Sequence, residues 1–150
     1  MSAVVLSVNV SEEKGTRKRP VGRAGLVGGF GIAGDAHGGD WHRQVSLLAR
    51  ESIDKIAALG LELAPGDFAE NITTRGIDLA ALPVGSVLRI GTEAELEVTQ
   101  IGKECHQDCD IRRQVGDCVM PREGIFARVL KTGAIAAGDP IELVRRGVAP

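Results

Sequence analysis

Alternation of apolar and polar residues is the clearest pattern along this chain. In EAELEVTQ, residues 93–100, alanine, leucine and valine alternate without a break with three glutamates. A period of two places the apolar side chains on one face of a strand and the charged ones on the other, so the segment predicts a half-buried strand. SVLRIG, residues 86–91, precedes it through a Gly-Thr turn, which indicates a hairpin.

Other segments are also rich in β-branched and apolar residues and are predicted to be strands. They are AVVLSVNV (3–10), RQVSLLA (43–49), FAENIT (68–73), GIFARVL (124–130) and DPIELV (139–144). KTGAIAAG, residues 131–138, is predicted to be a turn region between the last two.

One segment has a strong helical pattern. In ARESIDKIAALG, residues 49–60, Ala49, Ile53, Ile56 and Ala57 share a face at helical spacing, and Gly60 suits the C-terminal end. DIRRQVG, residues 110–116, predicts a second, short helix. Many short strands with little helix indicate a mainly β fold, a β-barrel with one main helix and a few short helical turns, because closure removes exposed strand edges.

Length and charge narrow the class of protein. A chain of 150 residues predicts a single domain over residues 1–150. The net charge of −2 argues against a nucleic-acid partner, and no apolar run reaches the roughly 18 residues of a membrane helix. The N-terminus resembles a strand rather than a signal peptide, and three cysteines are an odd count. We therefore expect a cytoplasmic protein with reduced thiols.

All three cysteines lie in GKECHQDCDIRRQVGDC, residues 102–118. With His106 they supply four zinc ligands, but the paired CxxC spacing of structural zinc sites is absent. A reactive thiol at Cys105 or Cys109 is the stronger hypothesis, because cations such as Arg112 favour the thiolate, although neighbouring acids oppose them. Cys118 is interpreted as a packed core residue.

Two polar loops and one polar pair carry further candidates. Asp35 and His37 begin a glycine-rich loop that also contains an aspartate and a histidine at 40 and 42. This loop suits either metal binding or turns in which aspartates bond the backbone. Glu70 and Asn71 interrupt an apolar strand, either on a solvated edge or at a cavity mouth where they bind a polar ligand.

The loop KGTRKRP, residues 14–20, contains four cations and is either a solvated charge run or an anion clamp. If a phosphate binds, Lys14, Arg17 and Lys18 are the expected partners. Replacing Lys14 and Lys18 with alanine is expected to weaken the binding of such a phosphate-bearing cofactor by about ten-fold or more, because charge-assisted hydrogen bonds are lost. Stability is expected to stay almost unchanged, because exposed charges contribute little to folding.

Taken together, four segments resemble in their order the MOSC domain, the C-terminal domain of molybdenum-cofactor sulfurases, which also occurs as a small stand-alone protein. They are GDAHGGDWHRQVSLL, APGDFAENITTRGIDLAALPVGSVLRIG, a strand ending in GKECH, and GIFARVLKTGAIAAGDPIELV. The resemblance covers nearly the whole chain. The glycine of the family's usual GEN is replaced here by Ala69.

The resemblance implies a β-barrel that binds a molybdenum or tungsten pterin cofactor, if only transiently, or carries its sulfur. Cys105 matches the family cysteine that accepts sulfane sulfur as a persulfide or ligates the metal. Relatives with a C-x2-C pair use the second cysteine, so Cys109 is also a candidate. Cofactor contacts are expected from Lys14, Arg17, Lys18, Asp35, His37, Glu70, Asn71 and Arg112.

The resemblance also implies partners. The chain has no recognisable pyridoxal-phosphate lysine motif, so a cysteine desulfurase would deliver the sulfur, and a molybdoenzyme or cofactor-synthesis protein would receive it. Two alternatives remain open. One is a small molybdenum-dependent oxidoreductase that reduces N-hydroxylated compounds, as some MOSC-containing relatives with an additional N-terminal domain do. The other is a non-catalytic adaptor in cofactor synthesis.

Overall fold

The computed structural model describes residues 3–13, 16–102 and 123–147. These residues contain eleven strands, one α-helix and one 3₁₀ turn. The strands are β1 (Ala3–Val10), β2 (Arg19–Pro20), β3 (Arg23–Val27), β4 (Gly31–Ile32), β5 (Val45–Ala49), β6 (Ile72–Arg75), β7 (Val87–Ile90), β8 (Ala94–Ile101), β9 (Ile125–Lys131), β10 (Gly133–Ala136) and β11 (Pro140–Arg145). Helix α1 is Arg50–Ala57 and the 3₁₀ turn is Leu79–Ala81.

Seven of these strands close into a barrel. Their order is β1, β6, β5, β9, β8, β7 and β11, and the pairing of β11 with β1 completes the circle. Neighbours are antiparallel except β5 and β6, which are parallel. A parallel pair needs a crossover connection, and α1 lies in the segment that provides it. The predicted mainly β barrel with one main helix is confirmed.

The barrel interior follows the alternation in the sequence. Ala94, Leu96 and Val98 of β8 are buried, whereas Glu95 and Glu97 between them are partly exposed. Strand β7 pairs with β8 from Ile90 opposite Ala94, so the predicted hairpin is confirmed.

Helix α1 packs on the outside of the barrel. Ile53 and Ile56 join Leu48, Phe68 and Phe126 in a second apolar cluster, apart from the barrel core. The helix ends at Ala57, within the predicted range. In the part of the chain that the structure describes, no helix is long and apolar enough to cross a membrane.

Two predicted elements differ from the structure. The expected turn region 131–138 contains β10, which pairs with β3 in a small sheet of β10, β3 and β4. Gly133 weakens the strand pattern in the sequence. Glycine is needed at this position because β10 runs close to β8, and a Cβ on residue 133 would lie 2.7 Å from the Ala94 nitrogen. The predicted helix at 110–116 lies outside the described residues.

The second difference concerns FAENIT. Strand β6 begins only at Ile72, and Glu70 and Asn71 precede it with no exposed surface, so the solvated-edge interpretation is wrong. The strand is interrupted at Ala69, whose φ of 62° is in the left-handed region. A non-glycine residue there is strained by about 1–2 kcal/mol, which explains physically why glycine is expected at this position.

Replacing Ala69 with glycine should therefore increase the free energy of unfolding, by about 0.5–1 kcal/mol once the larger unfolded-state entropy of glycine is subtracted. Chemical denaturation measures the change. Ala134→Gly is the matched control, because Ala134 is an exposed strand residue without positive φ and should lose about 0.5–1 kcal/mol. A loss of stability in both variants would contradict the strain at Ala69.

Candidate functional site

Lys18 is buried at the centre of the candidate site. Its ammonium donates to the carboxylate of Asp35 at 2.7 Å, to Ser11 Oγ at 3.0 Å and to His37 Nδ1 at 3.0 Å. The side chains of both Lys18 and Asp35 are 0% exposed. The expectation that Lys18 is an exposed loop cation is therefore wrong, because the carboxylate compensates its charge inside the protein.

Asp35 is held as a carboxylate by this pairing. Burial acts to raise the pKa of its carboxyl, but hydrogen bonds lower the pKa by more, and the result is below the usual value of 3.8. The lowering contacts come from Lys18, from the backbone N–H of Ser11 and from the side chain of Asn71. Asp35 also accepts a hydrogen bond from the backbone N–H of His37 at 3.1 Å, which is the turn chemistry expected of this loop.

Glu70 closes a tight turn from inside. Its carboxylate accepts hydrogen bonds from the backbone of Gly66 at 2.9 Å, the backbone of Phe68 at 3.2 Å and the hydroxyl of Thr73 at 2.6 Å. Burial raises the pKa of Glu70, although these hydrogen bonds act to lower it. All of these contacts are internal, so Glu70 supports the backbone of the turn.

Asn71 links the same turn to the barrel. Its side-chain oxygen accepts from the backbone N–H of Ser46 at 2.9 Å, and its amide nitrogen donates to the carbonyl of Asn9 at 3.2 Å. Since Asn71 also contributes to the low pKa of Asp35, one side chain connects β5, β1 and the buried ion pair.

Backbone contacts join the Lys18 segment to the Glu70 turn. The N–H of Lys18 donates to the carbonyl of Gly66 at 2.8 Å, and Arg17 forms an ion pair with Asp67 at 3.3 Å. Gly66 has a φ of 92°, and a Cβ there would lie 2.0 Å from the Lys18 carbonyl oxygen. Only glycine fits this approach.

The structure thus brings together predicted residues from three separate segments. They are Arg17, Lys18, Asp35, His37, Glu70 and Asn71. The remaining candidates, Lys14, Cys105, Cys109 and Arg112, lie outside the described residues.

Aromatic rings extend the site from His37. The Trp41 ring is nearly parallel to the His37 ring, with centroids 6.4 Å apart, and Trp41 Nε1 donates to the His37 carbonyl at 2.8 Å. Next along the loop, His42 Nε2 lies 2.9 Å from Gln100 Oε1, and Arg43 Nε donates to the same oxygen at 3.1 Å. The loop therefore runs from the buried ion pair to the end of β8.

The segment with the cysteines begins and ends at neighbouring strands. Ile101 of β8 pairs with Ile125 of β9, and the N–H of Gly102 donates to the carbonyl of Gly124 at 2.6 Å. Gln100, which contacts the 42–43 loop, also donates to the carbonyl of Gly102 at 2.8 Å. Gly102 and Gly124, which flank this part of the chain, are thus linked to each other and, through Gln100, to the 42–43 loop.

Within the described ranges, no group of three or more histidine, cysteine, aspartate or glutamate residues is placed to hold a metal ion. The metal interpretation of the 35–42 loop is therefore not supported there. Lys18 occupies both Asp35 Oδ1 and His37 Nδ1, which would otherwise serve as ligands.

Several contributors were not predicted from the sequence. Ser11 and Asn9 are short polar residues whose roles depend on pairing across the barrel. Trp41, the only tryptophan, lies between two histidines in a glycine-rich loop, and that isolated aromatic was the available signal. Gln100 lies near the end of β8 and has no distinguishing signal in the sequence.

Comparisons with known proteins agree with this architecture. The family model of the MOSC domain matches residues 33–142. The chain therefore belongs to the MOSC domain family, which is associated with molybdenum-cofactor binding and sulfur-related function. The comparison with curated proteins gave no match.

Solved structures share the fold. The YuaD protein from Bacillus subtilis is 22% identical, with a TM-score of 0.78 and 94% of each chain covered. YiiM from Geobacillus stearothermophilus is 24% identical, with a TM-score of 0.72, over 97% of this chain and 77% of that one. YiiM from Escherichia coli is 23% identical, with a TM-score of 0.71, over 98% and 71%.

Replacing Lys18 with methionine should lower the free energy of unfolding by about 3–5 kcal/mol, because the Asp35 carboxylate is left buried without its counter-charge. The double variant Lys18→Met/Asp35→Asn should lose less, since no buried charge remains. Arg17→Met is the adjacent control and should cost at most about 1 kcal/mol, because that side chain is 50% exposed. Equal losses at positions 17 and 18 in urea denaturation would contradict the burial of Lys18.

The lowered pKa of Asp35 predicts acid sensitivity. A carboxyl whose folded pKa is depressed contributes stability that is present above its unfolded pKa and is lost as pH falls through the folded pKa. The free energy of unfolding should therefore fall less steeply in Asp35→Asn than in wild type below about pH 4. The pKa of Glu70 is raised, so its contribution to the free energy of unfolding changes with pH in the opposite direction and cannot produce this difference. Parallel curves for the two proteins would refute the assignment to Asp35.

Proposed function

We propose that this chain binds a molybdenum or tungsten pterin cofactor and that a cysteine thiolate in segment 103–122 ligates its metal or accepts sulfane sulfur. One observation carries the proposal. In a MOSC-family barrel, a single loop connects the buried Lys18–Asp35 pair and the His37–Trp41 rings to Gln100, which bonds Gly102 just before the cysteine segment in the sequence. Cys105 is the first candidate and Cys109 the second.

The described residues fit such a cofactor. A pterin presents a flat polar heterocycle, and its phosphate is a dianion. The rings of His37 and Trp41 offer flat surfaces, and the half-exposed guanidinium of Arg17 offers the bidentate donors that phosphate prefers. Lys18 and Asp35 would hold His37 in place rather than contact the ligand, because neither side chain is exposed. When bound, the cofactor supplies a metal centre that a cysteine thiolate can ligate.

The sulfur-carrier role requires a donor protein. A thiolate on this chain attacks the terminal sulfur of a persulfide on a cysteine desulfurase. The new S–S bond forms on this chain as the donor's S–S bond breaks, and the donor cysteine leaves as a thiolate. The exchange is balanced, so no additional oxidant or reductant is needed. Cations that flank Cys105 in the sequence favour the attacking thiolate, and the acidic residues beside them oppose it.

Incubation with a cysteine desulfurase and L-cysteine should add sulfane sulfur to wild type, measured by mass spectrometry as a gain that a reductant removes. Cys105→Ser should lose most of this gain, whereas Cys118→Ser, the matched control, should keep it. Loss only in Cys109→Ser would assign the role to Cys109. Labelling that persists when all three cysteines are replaced by serine would refute the carrier role. If that triple variant still complements a strain that lacks this protein, the result would favour the non-catalytic adaptor in cofactor synthesis.

A further inference from the structure

We infer that Arg43 is an anion-binding residue, whose terminal nitrogens Nη1 and Nη2 hold an oxyanion of the phosphate class beside the end of β8. The source of that phosphate, a pterin cofactor or free phosphate, rests on the proposed function. The anion site itself does not, because it follows from contacts that fix the guanidinium and leave its outer donors unoccupied.

Arg43 is partly buried and has no acidic partner among the described residues. The arginines that are partly buried in the described ranges are those at positions 43, 50 and 89. Arg50 pairs with Asp54 at 2.9 Å, and Arg89 pairs with Glu95 at 3.1 Å. Arg43 forms no ion pair with any carboxylate that the structure describes. Because a guanidinium is always charged and is costly to desolvate without a partner, this position favours an anion from outside the described residues.

Two contacts fix the plane of the Arg43 guanidinium. Its Nε donates to Gln100 Oε1 at 3.1 Å, and its Cζ lies over the Phe126 ring, 5.0 Å from the ring centroid. A guanidinium is attracted to the face of an aromatic ring. Phe126 is itself buried in the apolar cluster under α1, so it offers a rigid surface. The side chain is therefore oriented before any ligand binds, which lowers the entropy cost of binding.

The same contacts leave the outer edge of the guanidinium open. Gln100 Nε2 donates to the carbonyl of Gly102 at 2.8 Å, so the oxygen of this amide faces Arg43. That oxygen accepts from Arg43 and from His42 Nε2, which lies 2.9 Å away, and both of its lone pairs are then in use. Within the described ranges, no hydrogen bond involves Arg43 Nη1 or Nη2. The N–H groups on these two nitrogens are the donors available to a ligand.

A fixed fork of N–H donors matches two oxygens of a phosphate, which it binds through parallel charge-assisted hydrogen bonds. Arg17 is the other described arginine proposed to meet phosphate, but it already forms an ion pair with Asp67 at 3.3 Å. The guanidinium of Arg43 has no such competitor among the described residues. Through Gln100, the site is also linked to Gly102, which precedes the cysteine segment in the sequence.

The first test uses inorganic phosphate. In NMR of wild type labelled with nitrogen-15 in arginine, phosphate should shift the Arg43 side-chain signals in a saturable way. Arg43→Met keeps an unbranched side chain over Phe126 but removes the fork, so its phosphate affinity, measured by calorimetry, should fall about ten-fold or more. Arg43→Lys keeps the charge without the fork and should lose less. Arg128→Met is the control, because Arg128 is exposed and paired with Glu97, and it should bind phosphate like wild type.

Gln100→Glu tests the same site with Arg43 in place. The substitution hardly changes the shape of the side chain, but it puts a carboxylate against the guanidinium. This internal counter-charge should lower phosphate affinity about ten-fold. Phosphate that binds equally well to wild type, Arg43→Met and Gln100→Glu would overturn the inference. Arg43 signals that do not move in wild type would also overturn it, whether or not a variant folds.

Titration with the isolated pterin cofactor then identifies the source of the phosphate. If Arg43→Met weakens cofactor binding about ten-fold and inorganic phosphate competes with the cofactor, the phosphate of the cofactor occupies the site. If Arg43→Met loses affinity for inorganic phosphate alone, the site takes free phosphate, and both proposals stand. If phosphate binds at Arg43 and wild type binds no cofactor, the proposed function fails while the anion site stands.

Discussion

A lysine and an aspartate that are buried together join two loops of this protein, one between β1 and β2 and one that follows β4. Lys18 and Asp35 come from two loops with little regular structure, and their side chains have no solvent contact. A pair of this kind adds little net stability compared with apolar packing, but either charge alone inside the protein would be costly. Because separating the two charges inside the protein is costly, the ion pair holds the two loops together more firmly than neutral side chains would.

The barrel provides the frame in which this pair is possible. The parallel pairing of β5 and β6 requires the crossover that includes α1, and the crossover returns to the barrel through the turn at Gly66–Asn71. That turn approaches Lys18 so closely that only glycine fits at position 66. Glu70 and Asn71 then satisfy backbone groups that the turn would otherwise leave buried without partners. The site therefore depends on the topology as much as on its charged residues.

The local elements of this fold were predictable from sequence. Strict alternation marked β8, the helical spacing of Ile53 and Ile56 marked α1, and both signals arise from burial of one face. The sequence does not predict strand β10, because a glycine required by close packing against β8 resembles a turn residue.

The sequence predicts the residue types of the candidate site but not the contacts between them. The sequence predicts an exposed Lys18, because a run of four cations carries no sign of the carboxylate that follows seventeen residues later. Pairings of that kind exist only after the barrel has formed.

We propose that the loop from the Lys18–Asp35 pair to the end of β8 serves a pterin cofactor. The most direct measurement is the molybdenum, tungsten and pterin content of the protein purified from a molybdate-fed host, by elemental analysis and pterin fluorescence. Near-stoichiometric metal and pterin in wild type, both lost in Lys18→Met/Asp35→Asn while that variant remains folded, is the predicted result. Metal and pterin no higher in wild type than in that variant would contradict the account.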